Sequence, residues 1–185
     1  LGAVFQELGK LEEAVASCQN SLDIKPDYAK AHNNLGVALK EQGKLEEAVK
    51  SFKRALNIKP DFPEAYNNLG NTFKEFGRLD DAVACYHKAL DINSDYAEAH
   101  NSLGVVLKEL GRLNDAVVHY RRVLDINPNH VKAHNNLGVV LREKGQLDEA
   151  IASYHKAISI KSDYAETHCN LGNALRYRGN LNDAV

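Results

Sequence analysis

Apolar residues recur along the chain at the spacing of amphipathic helices, in sets that repeat every 34 residues. In the segment from 29 to 62, a first helical stripe consists of Ala31, Leu35, Ala38 and Leu39. A second stripe consists of Leu45, Ala48, Val49, Phe52, Ala55 and Leu56. Each stripe covers one side of a helix and leaves the other side polar. The pattern therefore predicts two antiparallel helices in each repeat, about 12–14 residues long and joined by a tight turn.

Glycine occupies two positions of the repeat, which together account for all 12 glycines. The later column consists of Gly9, Gly43, Gly77, Gly111, Gly145 and Gly179. It predicts the end of each first helix, where a left-handed residue satisfies loose carbonyls. The earlier column consists of Gly2, Gly36, Gly70, Gly104, Gly138 and Gly172. It lies inside a helix, where glycine costs about 1 kcal/mol relative to alanine. We therefore expect the second helix to approach closely there, through its small residues Ala48, Ala82, Ala116 and Ala150.

Acidic residues accompany the predicted helix starts. Asp61 and Asp95, each followed three residues later by a glutamate, are typical of N-cap residues in a capping box. One or two acidic residues recur at the start of the second helices, as in Glu46-Glu47 and Asn114-Asp115. We interpret these acidic residues as partners of the helix dipole rather than as catalytic or metal-binding carboxylates.

The motif His32-x-x-Leu35-Gly36-x-x-Leu39, followed by Ala48-x-x-x-Phe52 and Pro60, resembles the tetratricopeptide repeat. The resemblance implies an all-α fold, a right-handed superhelical solenoid of antiparallel helix pairs whose first helices line a concave groove. We expect one array over 1–185, with complete repeats 29–62, 63–96, 97–130 and 131–164 and partial repeats 1–28 and 165–185. Because the chain lacks methionine and both ends lie inside a repeat, we interpret it as a fragment of a longer protein.

Asparagine fills two adjacent columns on the polar side of the first helices, although it is a mediocre helix former. Its amide carries a donor and an acceptor, which suits it to bridging the backbone of an extended peptide. We therefore predict a peptide-binding row that consists of Asn34, Asn68, Asn71, Ser102, Asn136, Asn170 and Asn173. The alternative is that the amides bond neighbouring helices within the stack. The adjacent column, which begins with Asn33, is the weaker candidate for binding.

The segment Asn-Asn-Leu-Gly, with Lys-Glu-x-Gly-x-Leu after it, resembles the repeat arm of protein O-linked N-acetylglucosamine transferases. In that family a ladder of groove asparagines grips protein substrates, which implies the same role for Asn34, Asn68, Asn136 and Asn170. The expected function is a protein-protein interaction scaffold that binds an extended peptide or a partner protein. The alternative is the substrate-selecting arm of a larger enzyme, such as a transferase of that type.

A basic column also follows the polar side, with glutamates beside it; it consists of Lys40, Lys74, Lys108, Arg142 and Arg176. We interpret these neighbouring columns as a solvated face in which opposite charges cancel, with a site for acidic ligands as the less favoured alternative. The net charge of −2 gives no basic excess for nucleic acid.

The sequence lacks 18 consecutive apolar residues, so we expect no membrane span. His32, His100, His134 and His168 are each a repeat or more apart, too far to share a metal ion. His130 is four residues before His134 but lies in a turn, so a metal site there is the less favoured alternative. No nucleophile–base motif, phosphate loop or HExxH is present. We therefore expect no cofactor and no catalytic activity. The odd cysteine count favours free thiols and a cytoplasmic location, with Cys18 in a core column and Cys85 and Cys169 in polar ones. A third hypothesis is end-to-end self-association through apolar residues near Leu1, Phe5 and Leu181.

Overall fold

The computed structural model describes the backbone of residues 2–182 and the side chains of residues 9–179. These residues form ten helices and contain no strand. The helices are α1 (Gly2–Ile24), α2 (Ala29–Glu41), α3 (Leu45–Ile58), α4 (Pro63–Glu75), α5 (Leu79–Ile92), α6 (Ala97–Glu109), α7 (Leu113–Ile126), α8 (Val131–Glu143), α9 (Leu147–Ile160) and α10 (Ala165–Asn182). The prediction of an all-α helical repeat fold is confirmed. The apolar residues near Leu1, Phe5 and Leu181, proposed for self-association, lie outside the residues whose side chains are described.

The chain divides into two compact units, the first ending at Tyr96 and the second beginning at Ala97. In the first unit, each helix from α1 to α5 packs on the next, and α2 also contacts α4. In the second unit, each helix from α6 to α10 packs on the next, and α8 also contacts α6 and α10. Contacts between successive repeats therefore hold each unit together, as in other repeat proteins.

A glycine with positive φ ends four of the first helices, at Gly43, Gly77, Gly111 and Gly145. At the first of these turns, the Gly43 amide donates to the carbonyl of Lys40, and the Lys44 amide donates to that of Leu39. These bonds satisfy helix-end carbonyls, as predicted. The same prediction is wrong for Gly9 and Gly179, which lie inside α1 and α10. Glycine permits the left-handed conformation without imposing it, so the helix can continue through it.

The earlier glycine column faces an aromatic ring of the second helix. A Cβ added to Gly36 would lie 2.6 Å from Cε1 of Phe52, and one added to Gly138 would lie 2.5 Å from Cε1 of Tyr154. Tyr86 and Tyr120 face Gly70 and Gly104 in the same way. The expected close approach exists, but the predicted partner, the alanine column headed by Ala48, is wrong. The phenyl or phenol ring fills the space that the missing side chain leaves.

The predicted capping box at Asp61 is wrong because α4 begins at Pro63, with Phe62 at its N-cap and no side-chain bond there. Asp61 therefore lies one residue too early to cap this helix. The acidic first turns of α3, α5, α7 and α9 are confirmed. Some of their carboxylates also pair with the N-cap residue, as when Arg78 Nε donates to Asp81 at 2.7 Å.

Candidate functional site

The predicted asparagine row lies on the first helices of both units, at the edge of their packed interfaces. Asn34 is exposed on α2, while Asn68 on α4 is half-buried. In the second unit, Ser102, Asn136 and Asn170 are half-buried on α6, α8 and α10. All five side chains are therefore at least partly accessible to a ligand.

A hydrogen bond to the preceding repeat holds three of these amides. Asn68 Nδ2 donates to Asn33 Oδ1 at 3.1 Å, and Asn170 Nδ2 donates to Asn135 Oδ1 at 3.0 Å. Asn136 makes a longer bond of the same kind, 3.5 Å, to Asn101. Each bond uses one N–H of the amide and fixes its orientation. No donor among the described residues reaches the Oδ1 atoms of Asn68, Asn136 and Asn170, so these acceptors remain available.

The adjacent asparagine column is part of the helix interface. Asn33 and Asn135 are 8% and 1% exposed, although the sequence placed this column on the polar side. Asn135 Oδ1 accepts from Thr167 Oγ1 as well as from Asn170, and Asn135 Nδ2 donates to Glu166 Oε1. The side chain is buried and makes three hydrogen bonds, as a polar group in that position requires. This column links neighbouring repeats.

The two remaining predicted residues, Asn71 and Asn173, have different surroundings. Asn71 is half-buried in α4, and its Oδ1 accepts from the hydroxyl of Tyr86 at 2.8 Å. Asn173 is exposed on α10 and lines a cavity of about 520 Å³ in the second unit. The structure therefore gives Asn71 a packing partner and leaves Asn173 open.

The bond between Asn71 and Tyr86 was missed from sequence. The signal was a pairing of residue types fifteen positions apart, in which Val37 accompanies Phe52 and Asn71 accompanies Tyr86. The pairing is not general, because Tyr120 follows Val105; Tyr154 departs from it in the same way, since the corresponding residue is Val139, which carries no acceptor. Its hydroxyl is buried and has no hydrogen-bond partner among the described residues. Burial raises the pKa of Tyr154 to about 12, an effect that the nearby Arg142 opposes.

A cavity of about 550 Å³ in the first unit contains Asn34. Tyr28, the N-cap of α2, and Phe62, the N-cap of α4, lie along it. The ammonium group of Lys59 lies 4.9 Å from the centre of the Phe62 ring, within the range of a cation–π contact. Apolar side chains of a ligand could therefore lie beside the first asparagine of the row.

The charged columns form one ion pair in the first unit, where Lys40 Nζ lies 3.0 Å from Glu75 Oε1. In the second unit, Arg142 and Arg176 line the same cavity as Asn173. Neither arginine makes an ion pair within 4.0 Å among the described residues. The interpretation of the basic and glutamate columns as a neutralised face is therefore wrong at Arg142 and Arg176.

Three of the histidines at the fourth position of the repeat bond to the backbone, whereas His100 Nδ1 lies 2.9 Å from Nδ1 of His119. His32, His134 and His168 each donate from Nε2 to a carbonyl six residues earlier, at 2.8–2.9 Å. These bonds attach the first helix to the turn before it. Burial lowers the pKa of His134, which favours its neutral form. The described residues contain no group of three metal-ligating side chains.

Of the three cysteines, Cys169 is exposed and Cys18 is half-buried. Cys85 is buried, so its assignment to a polar column is wrong. Burial raises the pKa of its thiol to about 11, and the negative charge of Asp81 adds to the shift. No described helix has the length and hydropathy needed to cross a membrane.

Comparison with solved structures finds several repeat proteins of the same fold. The chain is similar to MamA, with 24% identity, a TM-score of 0.76, and coverage of 90% of this chain and 97% of that one. It is also similar to YrrB, a TPR protein with an unusual peptide-binding site, with 24% identity, a TM-score of 0.70, and coverage of 89% and 85%. The thermophilic TPR protein TTC0263 of Thermus thermophilus matches with 22% identity, a TM-score of 0.73, and 95% coverage of both chains. At these identities the likeness shows the fold alone.

Comparison with curated proteins gave no match. The sequence models of the repeat family match most of the chain. The TPR repeat model matches residues 2–43, 38–77, 70–111 and 140–176. Two further tetratricopeptide repeat models match residues 97–130 and 119–152. With these matches and the helix pairs described above, the chain belongs to the tetratricopeptide repeat family.

Proposed function

We propose that this chain is a protein-interaction scaffold whose asparagine row binds an extended peptide segment of a partner protein. The observation that carries the proposal is the state of the amides at Asn68, Asn136 and Asn170. Each is oriented by one bond within the stack, and each keeps its carbonyl oxygen free. A peptide backbone offers N–H groups that would donate to these oxygens.

The spacing of the first helices fits such a ligand. Packed helices lie about 8–10 Å apart, and an extended chain rises about 3.3 Å per residue. One asparagine would therefore meet every third residue of the peptide within a unit. Because the contacts go to the peptide backbone, the affinity would depend more on the length of the peptide than on the identity of its side chains. Its relative YrrB, a TPR protein with an unusual peptide-binding site, supports a peptide as the class of ligand.

Asn34 offers the clearest test, because it is exposed and makes no hydrogen bond within the described residues. A peptide selected from a random library against the intact chain serves as the probe, and isothermal titration gives its affinity. Asn34→Ala should weaken binding by about 0.5–1.5 kcal/mol, the value of one hydrogen bond. The thermal stability of the Asn34→Ala variant should equal that of the parent chain.

The matched control is Asn57→Ala, which removes an exposed asparagine from the second helix α3. This variant should bind with unchanged affinity. Equal affinities for the Asn34 and Asn57 variants, with both folded, would refute the role of the row.

A second candidate function is the substrate-selecting arm of a larger enzyme, such as an O-linked N-acetylglucosamine transferase. The repeated Asn-Asn-Leu-Gly segment favours it. Sequencing the gene beyond both ends distinguishes the two candidates. A neighbouring glycosyltransferase domain would support the arm, whereas further repeats alone would support an independent scaffold.

A further inference from the structure

We infer that the cavity in the second unit between α8 and α10 binds an acidic side chain, together with an apolar neighbour, from a bound peptide. The inference rests on the proposed function, because it names a chemical feature that the peptide would carry at one place along the row. The cavity encloses about 520 Å³. It is lined by the end of α8, the start of α9 and the second half of α10.

The sequence beside the cavity differs from the sequence at the corresponding place in the first unit. In the first unit, Lys40 bonds to Glu75, which lies 35 residues later. The corresponding cation on α8 is Arg142, and the residue 35 positions later is Tyr177 rather than a glutamate. Tyr177 is 55% exposed and lines the cavity. Arg142 makes no ion pair among the described residues. The same is true of Lys74 and Lys108, although glutamates stand 35 residues after them.

A second guanidinium reaches the same space. Arg176 lies beside Tyr177 at 5.9 Å from the ring centre and makes no ion pair in the described part of the chain. Two guanidinium groups facing one cavity would bind a carboxylate through charge-assisted hydrogen bonds. The one acid in the lining, Glu143, is exposed and offsets part of the positive charge. It leaves an excess of one positive charge.

The other walls indicate what lies next to the carboxylate. Leu147 and the Tyr177 ring give the cavity apolar surface. The volume exceeds what an isolated anion fills, since a water molecule takes about 30 Å³ of liquid. Asn173, a member of the asparagine row, lines the same cavity. A peptide that follows the row would pass here, so we assign the carboxylate to an internal aspartate or glutamate beside an apolar residue.

The probe is a short peptide of serine and alanine with a central Leu-Glu pair, acetylated and amidated so that it carries no terminal charge. Its partner has Leu-Gln at the same place. Titrations followed by NMR, read on the Nε–Hε signals of the arginines and on backbone amides, give both affinity and location. We expect the glutamate peptide to bind about tenfold more tightly at low salt, and the difference to shrink as salt screens the charges.

The variants Arg142→Gln and Arg176→Gln should each remove most of that preference while leaving the affinity for the Leu-Gln peptide unchanged. Glu143→Gln should increase the preference. The control is Arg178→Gln, because Arg178 lies on α10 but pairs with Asp148 at 3.4 Å. This control should bind both peptides like the parent chain.

The outcomes separate this inference from the proposed function. If both peptides bind equally, and Asn136→Ala weakens both, the cavity assignment is wrong and the row stands. If neither peptide binds, both ideas fail. If a Leu-Gln peptide with a free terminal carboxylate binds better than the capped Leu-Glu peptide, the cavity holds chain ends, which overturns the assignment to an internal residue.

Discussion

Helices α8 and α10 occupy the same place in their repeats, yet their glycines have different surroundings. In α8, a Cβ on Gly138 would collide with Tyr154, and Gly145 has a φ of 78° at the turn. In α10, a Cβ on Gly172 would meet no atom of the described residues within 4 Å, and the helix continues through Gly179. The same residues thus play different roles, because the helix packed against them determines what each glycine must accommodate.

The largest expected effect comes from replacing these two glycines with leucine. Gly138→Leu should lower the free energy of unfolding by about 3 kcal/mol, because the buried Tyr154 ring has no room to move. Gly172→Leu should raise it by up to about 1 kcal/mol, since leucine is the better helix former and the site is open. Urea denaturation of both variants gives the two values. Equal losses of stability in both variants would show that contact with the aromatic ring is not the reason for glycine in this column.

The cysteines extend the comparison from glycine positions to chemical reactivity. Cys85 is buried on α5, whereas Cys169 is exposed on α10. With its pKa raised to about 11, the Cys85 thiol should form thiolate about 100-fold less than an ordinary cysteine at neutral pH. Iodoacetamide should therefore label Cys169 first, as mass spectrometry of digested protein would show.

The raised pKa of Cys85 also has a consequence for stability. The folded state keeps its proton at a pH where the unfolded thiol, with a pKa near 9, has lost it. Folding is therefore less favourable as the pH rises from about 9 to about 11. Cys85→Ser should flatten this part of the stability profile. Labelling of Cys85 ahead of Cys169 in native protein would contradict the burial.

The helix pairs α4–α5 and α8–α9 also differ in the hydrogen bonding of one tyrosine hydroxyl. Tyr86→Phe removes the bond to Asn71 and should lower the free energy of unfolding by about 1 kcal/mol. Tyr154→Phe removes a hydroxyl that has no partner among the described residues, and it should leave stability equal or slightly higher. Chemical denaturation would measure both. A larger loss for Tyr154→Phe would mean that its hydroxyl is bonded in solution.

A similarly small effect on folding is expected within the asparagine row. Asn68→Ala removes the bond to Asn33, whose Oδ1 is then left buried, and should lower stability by about 1 kcal/mol. Asn34→Ala breaks no bond among the described residues and should leave stability unchanged. Thermal melts compare the two. Equal melting temperatures would show that the bonds between repeats contribute nothing to the stack.

The sequence predicted the helix pairs because both the apolar stripes and the turn glycines repeat at a fixed period. It misassigned the partner of Gly36, since the period does not reveal whether Ala48 or Phe52 lies at the helix crossing. The polar side of the first helix was identified from that helix alone. Asn33 was therefore assigned to the open side, although a neighbouring helix buries it. The N-cap error at Asp61 reflects a boundary shifted by one residue.

The cavity at Arg142 was missed for a related reason. The glutamate column beside the basic one suggested full neutralisation, although it ends at Glu143 and is followed by Tyr177. The spacing of the charges does not by itself predict a pair, because Lys40 bonds to Glu75 whereas Lys74 and Lys108 make no ion pair among the described residues.

The most direct test of the central claim is to observe the asparagine side chains while a peptide binds. In a labelled chain, NMR resolves the Nδ2 signals of Asn34, Asn68, Asn136 and Asn170 and those of Asn57 and Asn114 on the second helices. The account predicts that the library-selected peptide shifts the first set and leaves the second set unchanged. Shifts confined to the second helices would contradict it.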